Sequence, residues 1–465
     1  MNTPPIPRLI LAGLSGGSGK TIVSLGLTRA LRNCGLRVKA FKKGPDYIDA
    51  AWLGLAAGDD AVNLDPIIIP KDLLPGLFQS SATGADIAII EGNRGLFDGK
   101  DVSGSCSTAE LARQLDTPVI LVLDATKMTR TAAAVVQGCA HFEPGLRLGG
   151  VILNRTAGNR HRAILRETIE TYTDVPVLGM LPKHSPNPIP ERHMGLVSNR
   201  EHGGCEAILE RIATVIADHV DVDAVVSLAQ MAAPLHTDGT PLWGDQVKTT
   251  RKPVIGVVRD AAFWFYYPEN FEALRRAGAE IVSVSLLDDT PWPDIDGLYL
   301  GGGFPETHAR ALAENVAVRH RIRDLSAAGL PIYAECGGFM YLCRELVTHE
   351  GTFPMAGVFD LATTLCERPQ GLGYNQATVI TDNPFHPVGT ILNGHEFHYS
   401  RCVLDPGNLT FCLHMSRGNG MLGQHDGLVV NNTFAAYTHI HALGAPHWAP
   451  AFVKAAFAYR RIKSE

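Results

Sequence analysis

The sequence predicts an α/β protein of two successive domains, the first a doubly wound parallel sheet that carries a phosphate loop (P-loop). Three observations carry this. Short apolar runs alternate with helical patterns from Arg8 to about Asp218, a stretch from about Ala232 to Lys252 breaks the alternation, and it restarts at Pro253. At 465 residues the chain is also too long for one core and fits two or three domains. The expected boundaries are 1–235 for the first domain, 236–252 for a linker and 253–465 for the second.

In the first domain the apolar runs at 9–12, 38–41, 87–90, 119–123, 150–153 and 175–180 read as strands. In the second, strands are expected at 254–258, 280–284 and 297–300, with a helix near 270–278. A buried apolar run at 330–333 leads to Cys336, and a helix-like segment at 339–346 follows it. The region 351–412 is richer in Thr, Gly, Pro and His and reads as more β-like.

With 45% hydrophobic and 19% charged residues, the composition is that of a soluble globular protein. A net charge of -6 gives no support for nucleic-acid binding, so an anionic ligand must be met by local cations. Nine cysteines without a CxxC pair argue against a zinc site or disulfide framework and fit a reducing cytoplasm. The first residues show no basic segment followed by an apolar one, so no secretion signal is expected, and no apolar run reaches the roughly 20 residues needed to cross a bilayer.

The segment Gly13, Leu14, Ser15, Gly16, Gly17, Ser18, Gly19, Lys20, Thr21 lies between an expected strand and an expected helix. Backbone N–H groups of such a loop cradle phosphates, Lys20 reaches the β/γ-phosphates of ATP and the Thr21 hydroxyl binds Mg²⁺. Position 14 is Leu where the usual spacing wants Gly, so the loop is one residue longer from Gly13. Ser15 occupies the slot where dimer-switch ATPases carry a second lysine.

Acidic clusters follow two strands, in Lys43-Gly44-Pro45-Asp46-Tyr47-Ile48-Asp49 and in Glu91-Gly92-Asn93-Arg94-Gly95-Leu96-Phe97-Asp98. Carboxyl ends of parallel strands are where doubly wound folds bind ligands. Asp46 and Glu91 are candidates for Mg²⁺ beside Thr21; Asp49 and Asp98 are candidates for its waters or for the acceptor. Caps and turns are the competing reading of all four. Asn154 and Arg155 are candidates for bordering the adenine. Arg192 and His193, with Lys42, Lys43, Arg94 and Lys100, are candidates for an anionic acceptor.

Cys336 in Ala334-Glu335-Cys336-Gly337-Gly338 sits where a strand turns into a helix. That geometry is expected to lower the thiol pKa and expose the thiolate. Gly302 and Gly303 follow a strand and, with Gly337, are the expected oxyanion donors. His439 and His441, two apart and on one face of a strand, are the candidates for the base and the group that orients it; His395 and His398 are rivals.

Taken together, GLSGGSGKT, KKGPDYID, EGNRGLFDG, PERHMGLV, RDAAFWFYYPEN, LYLGGGFPE, YAECGGFMYL and YTHIHA resemble the cobyrinate a,c-diamide synthase family of glutamine-dependent amidotransferases over nearly the whole chain. The resemblance implies a dethiobiotin synthetase-like first domain and a triad-type (class I) glutaminase second domain. It assigns Cys336 as nucleophile and His439 as its histidine, with His441 where many related glutaminases have a glutamate. It also implies Tyr47, Ile48, Asp49, Asp98, Arg192 and His193 around the substrate. ATP, Mg²⁺, glutamine and a polycarboxylate tetrapyrrole, cobyrinic acid, are the implied ligands, in the cytoplasm; a homodimer stays open. Asn93-Arg94 stands where members often carry two apolar residues, which bears on acceptor recognition. Hydrogenobyrinate or Ni-sirohydrochlorin as acceptor, and a non-catalytic nucleotide-binding regulator, are the alternatives.

Overall fold

The computed structural model describes residues 5–183, 191–192, 195–196, 204–235, 237, 239–288, 290–403 and 409–464. His193 and the side chain of Arg192 lie outside the described residues. The chain divides into two compact units, Met1–Pro66 with Lys71–Leu242, and Ile67–Pro70 with Trp243–Glu465.

Unit 1 is a seven-stranded sheet of β1 (Arg8–Gly13), β2 (Val38–Lys43), β3 (Val62–Leu64), β4 (Ile87–Gly95), β5 (Val119–Asp124), β6 (Leu148–Thr156) and β7 (Val177–Pro182). The order is β3-β2-β4-β1-β5-β6-β7, and every pairing is parallel. β1 is buried along its whole length, as a central strand covered on both faces must be, so its sequence is a nearly continuous apolar run. Helix α1 (Lys20–Asn33) follows β1, and α2 (Tyr47–Ala57) follows β2. The edge strand β3 is not expected from the sequence. Val-Asn-Leu is too short to show a run or a period, and pairing with β2 creates it.

Unit 2 is organised on a nine-stranded sheet. From edge to edge it runs Glu280–Val284, Val254–Val258, Gly297–Leu300, Ile332–Glu335, Thr433–Ala436, His425–Val430, Phe411–Arg417, Gly371–Val379 and Ile391–His398. The first five strands are parallel and the remainder antiparallel. Strand side chains alternate between two buried clusters: Ile332 and Ala334 lie in one, Tyr333 in the other among Phe385, Phe434, Trp448 and Phe452.

The helix expected at 339–346 is shorter. It spans Gly337–Leu342, and Cys343–Thr348 is a strand, antiparallel to Gly351–Pro354 and parallel to Phe359–Leu365. Val347 and Thr348 favour an extended chain, and the hairpin partner supplies the hydrogen bonds that the helix would have used. A two-residue strand, Gly302–Gly303, pairs antiparallel with Phe263–Phe265 beside the nucleophile turn.

Candidate active sites

In unit 1, α1 starts immediately after the glycine-rich loop, so loop amides and a helix N-terminus converge on one point. Gly19 caps the helix at φ 88, ψ 11, a left-handed conformation that side chains resist. A Cβ there would also stand 2.0 Å from Asn154 Nδ2. Asn154 Nδ2 donates to the Ser18 carbonyl at 3.0 Å and so braces the loop. Its neighbour Arg155 is paired with Asp124 at 2.5 Å. Gly13 closes β1, Ser15 Oγ donates to the Gly16 carbonyl at 3.1 Å, and Gly17 turns at φ 77. Ser18 Oγ is buried and meets no partner among the described residues.

Glu91, fully buried at the carboxyl end of β4, gathers the site. Its Oε1 accepts from Thr21 Oγ1 at 2.8 Å and from Lys42 Nζ at 2.9 Å, with Lys20 Nζ at 4.0 Å. Its Oε2 is buried without a partner among the described residues. Lys42, expected to meet an anionic acceptor, is instead 2% exposed and bonded also to Asp49 Oδ2 at 2.6 Å. Burial opposes the Lys42 charge, but Asp49 and Glu91 outweigh it and its pKa rises. Burial lowers the Lys20 pKa, and Glu91 offsets this only in part.

Asp46 does two things at once. Its Oδ1 caps α2 by accepting from the Ile48 and Asp49 amides at 2.8 and 2.9 Å, and burial followed by the nearby Asp49 charge raises its pKa to about 6. Asp98 Oδ2 accepts from the Gly95 amide at 3.0 Å, so the turn-forming reading of that residue holds too. Tyr47 and Ile48 are buried in the first turn of α2. Lys43 is buried as well, while Arg94 and Lys100 are exposed.

No group of three or more His, Cys, Asp or Glu among the described residues is arranged to hold a metal ion. Mg²⁺ that arrives on a nucleotide needs only one or two protein oxygens, and the unpartnered Glu91 Oε2 beside Thr21 fits that requirement. Because Lys42 is the cation between two carboxylates, Lys42→Met leaves Asp49 without its partner and Glu91 with only Lys20, 4.0 Å away. The expected cost is about 3 kcal/mol at pH 7, read as a lower urea midpoint; an unchanged midpoint would refute it.

In unit 2 the strand Ile332–Glu335 ends at Cys336, whose backbone stands at φ 47, ψ -102. Such strain at a strand-to-helix turn marks a nucleophile elbow. The thiol differs from the sequence expectation. Cys336 is only 4% exposed, and its pKa is raised by burial, with the Glu306 charge adding to it. The Gly337 amide pulls the other way and loses. The resting group is therefore a thiol, and a base must take its proton.

That base is at hand. The ring of His439 lies against the glycine loop: a Cβ at Gly302 would stand 2.6 Å from His439 Cε1 and 3.3 Å from Nε2. A Cβ at Gly337 would stand 3.1 Å from Gly303 N. Nucleophile turn, glycine loop and histidine thus border one another. Glycines at both positions let two backbones approach where oxyanion donors are needed.

His441 does not orient His439. Its Nδ1 accepts from the Leu443 amide at 3.2 Å, and its Nε2 is 3.3 Å from Glu269 Oε2. The residue bonded to His439 Nδ1 is Glu335, at 3.1 Å from its Oε2. Glu335 precedes the nucleophile and was not a sequence candidate, since neighbours on a strand point to opposite faces. Of the rivals, His395 stacks on His439 with centroids 4.8 Å apart and is bonded to Tyr267 Oη at 2.8 Å. His398 stacks on Tyr437 at 3.6 Å, with its Nδ1 2.8 Å from the Ser400 carbonyl oxygen.

The glycine loop has a strut. Tyr266 Oη accepts from the Gly301 amide at 2.7 Å and donates to the Val258 carbonyl at 2.5 Å. Tyr266→Phe strands both backbone groups. It should cost about 1–3 kcal/mol and lower kcat for glutamine hydrolysis; a melt and a glutamate-release assay that both match wild type would refute this.

Residues 9–197 match the CobQ/CobB/MinD/ParA nucleotide binding domain, and residues 254–447 match the CobB/CobQ-like glutamine amidotransferase domain. A protein of Magnetococcus marinus named cobyrinate a,c-diamide synthase is 44% identical over 96% of this chain and 96% of its own length. The chain belongs to the cobyrinate a,c-diamide synthase family. The relative from Archaeoglobus fulgidus is 41% identical, covering 97% of this chain and 98% of its own, and that from Methanosarcina acetivorans is 37% identical, covering 99% and 97%. As a member, the chain is a glutamine-dependent amide ligase with a nucleotide-binding half. No helix among the described residues is long and apolar enough to cross a membrane.

Proposed function

We propose that this enzyme amidates the a and c carboxylates of cobyrinic acid in the cytoplasm, using ATP and glutamine. Full-length identity of 44% to a relative bearing that name is the observation that carries the reading. The assignment of residues 1–235 as the amidoligase domain and 253–465 as the glutaminase domain goes with it.

Cys336 attacks the side-chain amide of glutamine, a thioester forms and the C–N bond breaks. His439 takes the thiol proton and hands it to the leaving ammonia; water then releases glutamate. Backbone N–H groups at Gly302, Gly303 and Gly337 are the proposed oxyanion donors. A carboxylate is a poor electrophile, so it is activated first: an acceptor oxygen attacks the ATP γ-phosphate and ADP leaves. Ammonia displaces phosphate from the acyl phosphate to give the amide. Gly13, Ser15, Gly16, Gly17, Ser18, Gly19 and Lys20 would hold the phosphates, with Asn154 bracing the loop. Thr21, Glu91 and Asp46 would hold Mg²⁺, which supplies charge neutralisation at the phosphates. Asp49 and Asp98 remain the proposed contacts to acceptor or metal waters.

The test supplies ATP, Mg²⁺ and glutamine with cobyrinic acid, hydrogenobyrinic acid or Ni-sirohydrochlorin in turn, and weighs the product. Two amidations on cobyrinic acid are expected. Amidation of only one of the other rings would reassign the acceptor, and ATP hydrolysis with no amidated ring would overturn the tetrapyrrole.

A further inference from the structure

One wholly enclosed carboxylate faces the glutaminase histidine, and no sequence pattern pairs the two. Glu335 is 1% exposed at the end of the strand Ile332–Glu335. Its Oε2 lies 3.1 Å from His439 Nδ1, and its Oε1 accepts from the Ile440 amide at 3.4 Å. The buried Tyr299 hydroxyl helps to hold the Glu335 pKa down. Asn270 Nδ2 donates to the Tyr299 oxygen at 3.1 Å. Asn270 is itself anchored: its Nδ2 also donates to the Ile440 carbonyl at 3.2 Å, and its Oδ1 accepts from the Ala442 amide at 2.8 Å. Asn270 thus ties Tyr299 to the segment that carries His439.

We propose that Glu335 is the positioning carboxylate of the glutaminase: it holds His439 in the tautomer with its proton on Nδ1, which makes Nε2 the atom that takes the Cys336 proton. This rests on the glutaminase reading of Cys336 and His439 given above. The bond from Glu335 requires a donor on Nδ1, because a carboxylate only accepts. His441 cannot serve, since its Nδ1 accepts from the Leu443 amide and its Nε2 faces Glu269. His395 meets His439 by its ring face and through backbone bonds at 3.2 and 2.9 Å, and its Nε2 is engaged by Tyr267.

The same geometry explains how adjacent residues serve one site. At Cys336 the chain leaves strand conformation, with φ 47 and ψ -102, so the thiol need not point away from Glu335 as strict alternation would demand. When the thiol proton reaches Nε2, the imidazolium gains a buried counter-charge beside it, where low polarity strengthens the attraction. Burial raises the Glu335 pKa and the bond from His439 pulls it back. The titratable groups around the pair are Tyr266, Tyr299, Tyr333 and Cys336, with His395 on the imidazole face.

Glu335→Gln tests the proposal in the full-length enzyme. Gln keeps the shape and still accepts from the Ile440 amide, but its own amide donates toward Nδ1 and moves the histidine proton to Nε2. Glutamate release should fall about 10³-fold in kcat with KM for glutamine nearly unchanged. Activity of the variant should keep climbing with pH where wild type has levelled, because thiolate must then form without the base. Glu335→Asp should recover at least tenfold over Gln by restoring the charge.

Amidation from ammonium chloride should stay at the wild-type rate. Glutamine turnover within threefold of wild type overturns the proposal. Equal loss of the ammonia-driven reaction also overturns it, because Glu335 would then be serving the fold. The readout is glutamate release alone, so failure of the acceptor assignment, seen as wild-type glutamate release without any amidated tetrapyrrole, is told apart from failure of this proposal.

Discussion

Cys336→Ala abolishes glutamine-dependent amidation and leaves ammonia-dependent amidation intact. Loss of the sulfur removes the covalent route altogether, so glutamate release should fall at least 10⁴-fold. The cavity left is small, and Cys336 sits at a turn whose strain comes from its backbone, so the fold should persist. Ammonium chloride at high concentration then feeds the acyl phosphate directly. The measurement is amide product by mass with either nitrogen source. Retained glutamine turnover would remove Cys336 from the nucleophile role, and loss of both routes would mean that the substitution damages more than the glutaminase.

Lys20→Ala removes both routes together. Lys20 is the loop cation, 9% exposed and 4.0 Å from Glu91, and burial has already weakened its hold on a proton. A phosphate beside it favours the charged form and is neutralised in return. Without that charge, phosphoryl transfer should slow about 10³-fold whichever nitrogen source is offered. Glutamate release in the absence of acceptor should be unchanged, since its chemistry belongs to unit 2. An ammonia-dependent rate within tenfold of wild type would refute the role.

Much of the frame was legible. Six of the seven strands of the parallel sheet in unit 1 were readable, because a strand covered on both faces must be apolar throughout and a crossover helix must follow it. The phosphate loop was readable because its glycines, lysine and threonine are contiguous. The elbow was readable because Cys-Gly-Gly directly follows a strand. β3 was not, because three residues carry no period and only their register with β2 makes them a strand. The early end of the helix after Cys336 was hidden for a related reason: the partners of Cys343–Thr348 come later in the chain.

Chemistry divided along the same line. The sequence by itself determined which residue types are present and which stand next to one another: a thiol at a turn, a lysine and threonine at a helix start, carboxylates at strand ends. Tertiary structure alone decided what those groups face. It placed Glu335 on His439 across 104 residues, Asn154 on the phosphate loop across 136, and Lys42 between Asp49 and Glu91. It also decided the state of Cys336, where burial outweighs the turn that was expected to ionise it. Side-chain type is a local property, but protonation and hydrogen bonding depend on what surrounds a group, and here that comes from distant parts of the chain.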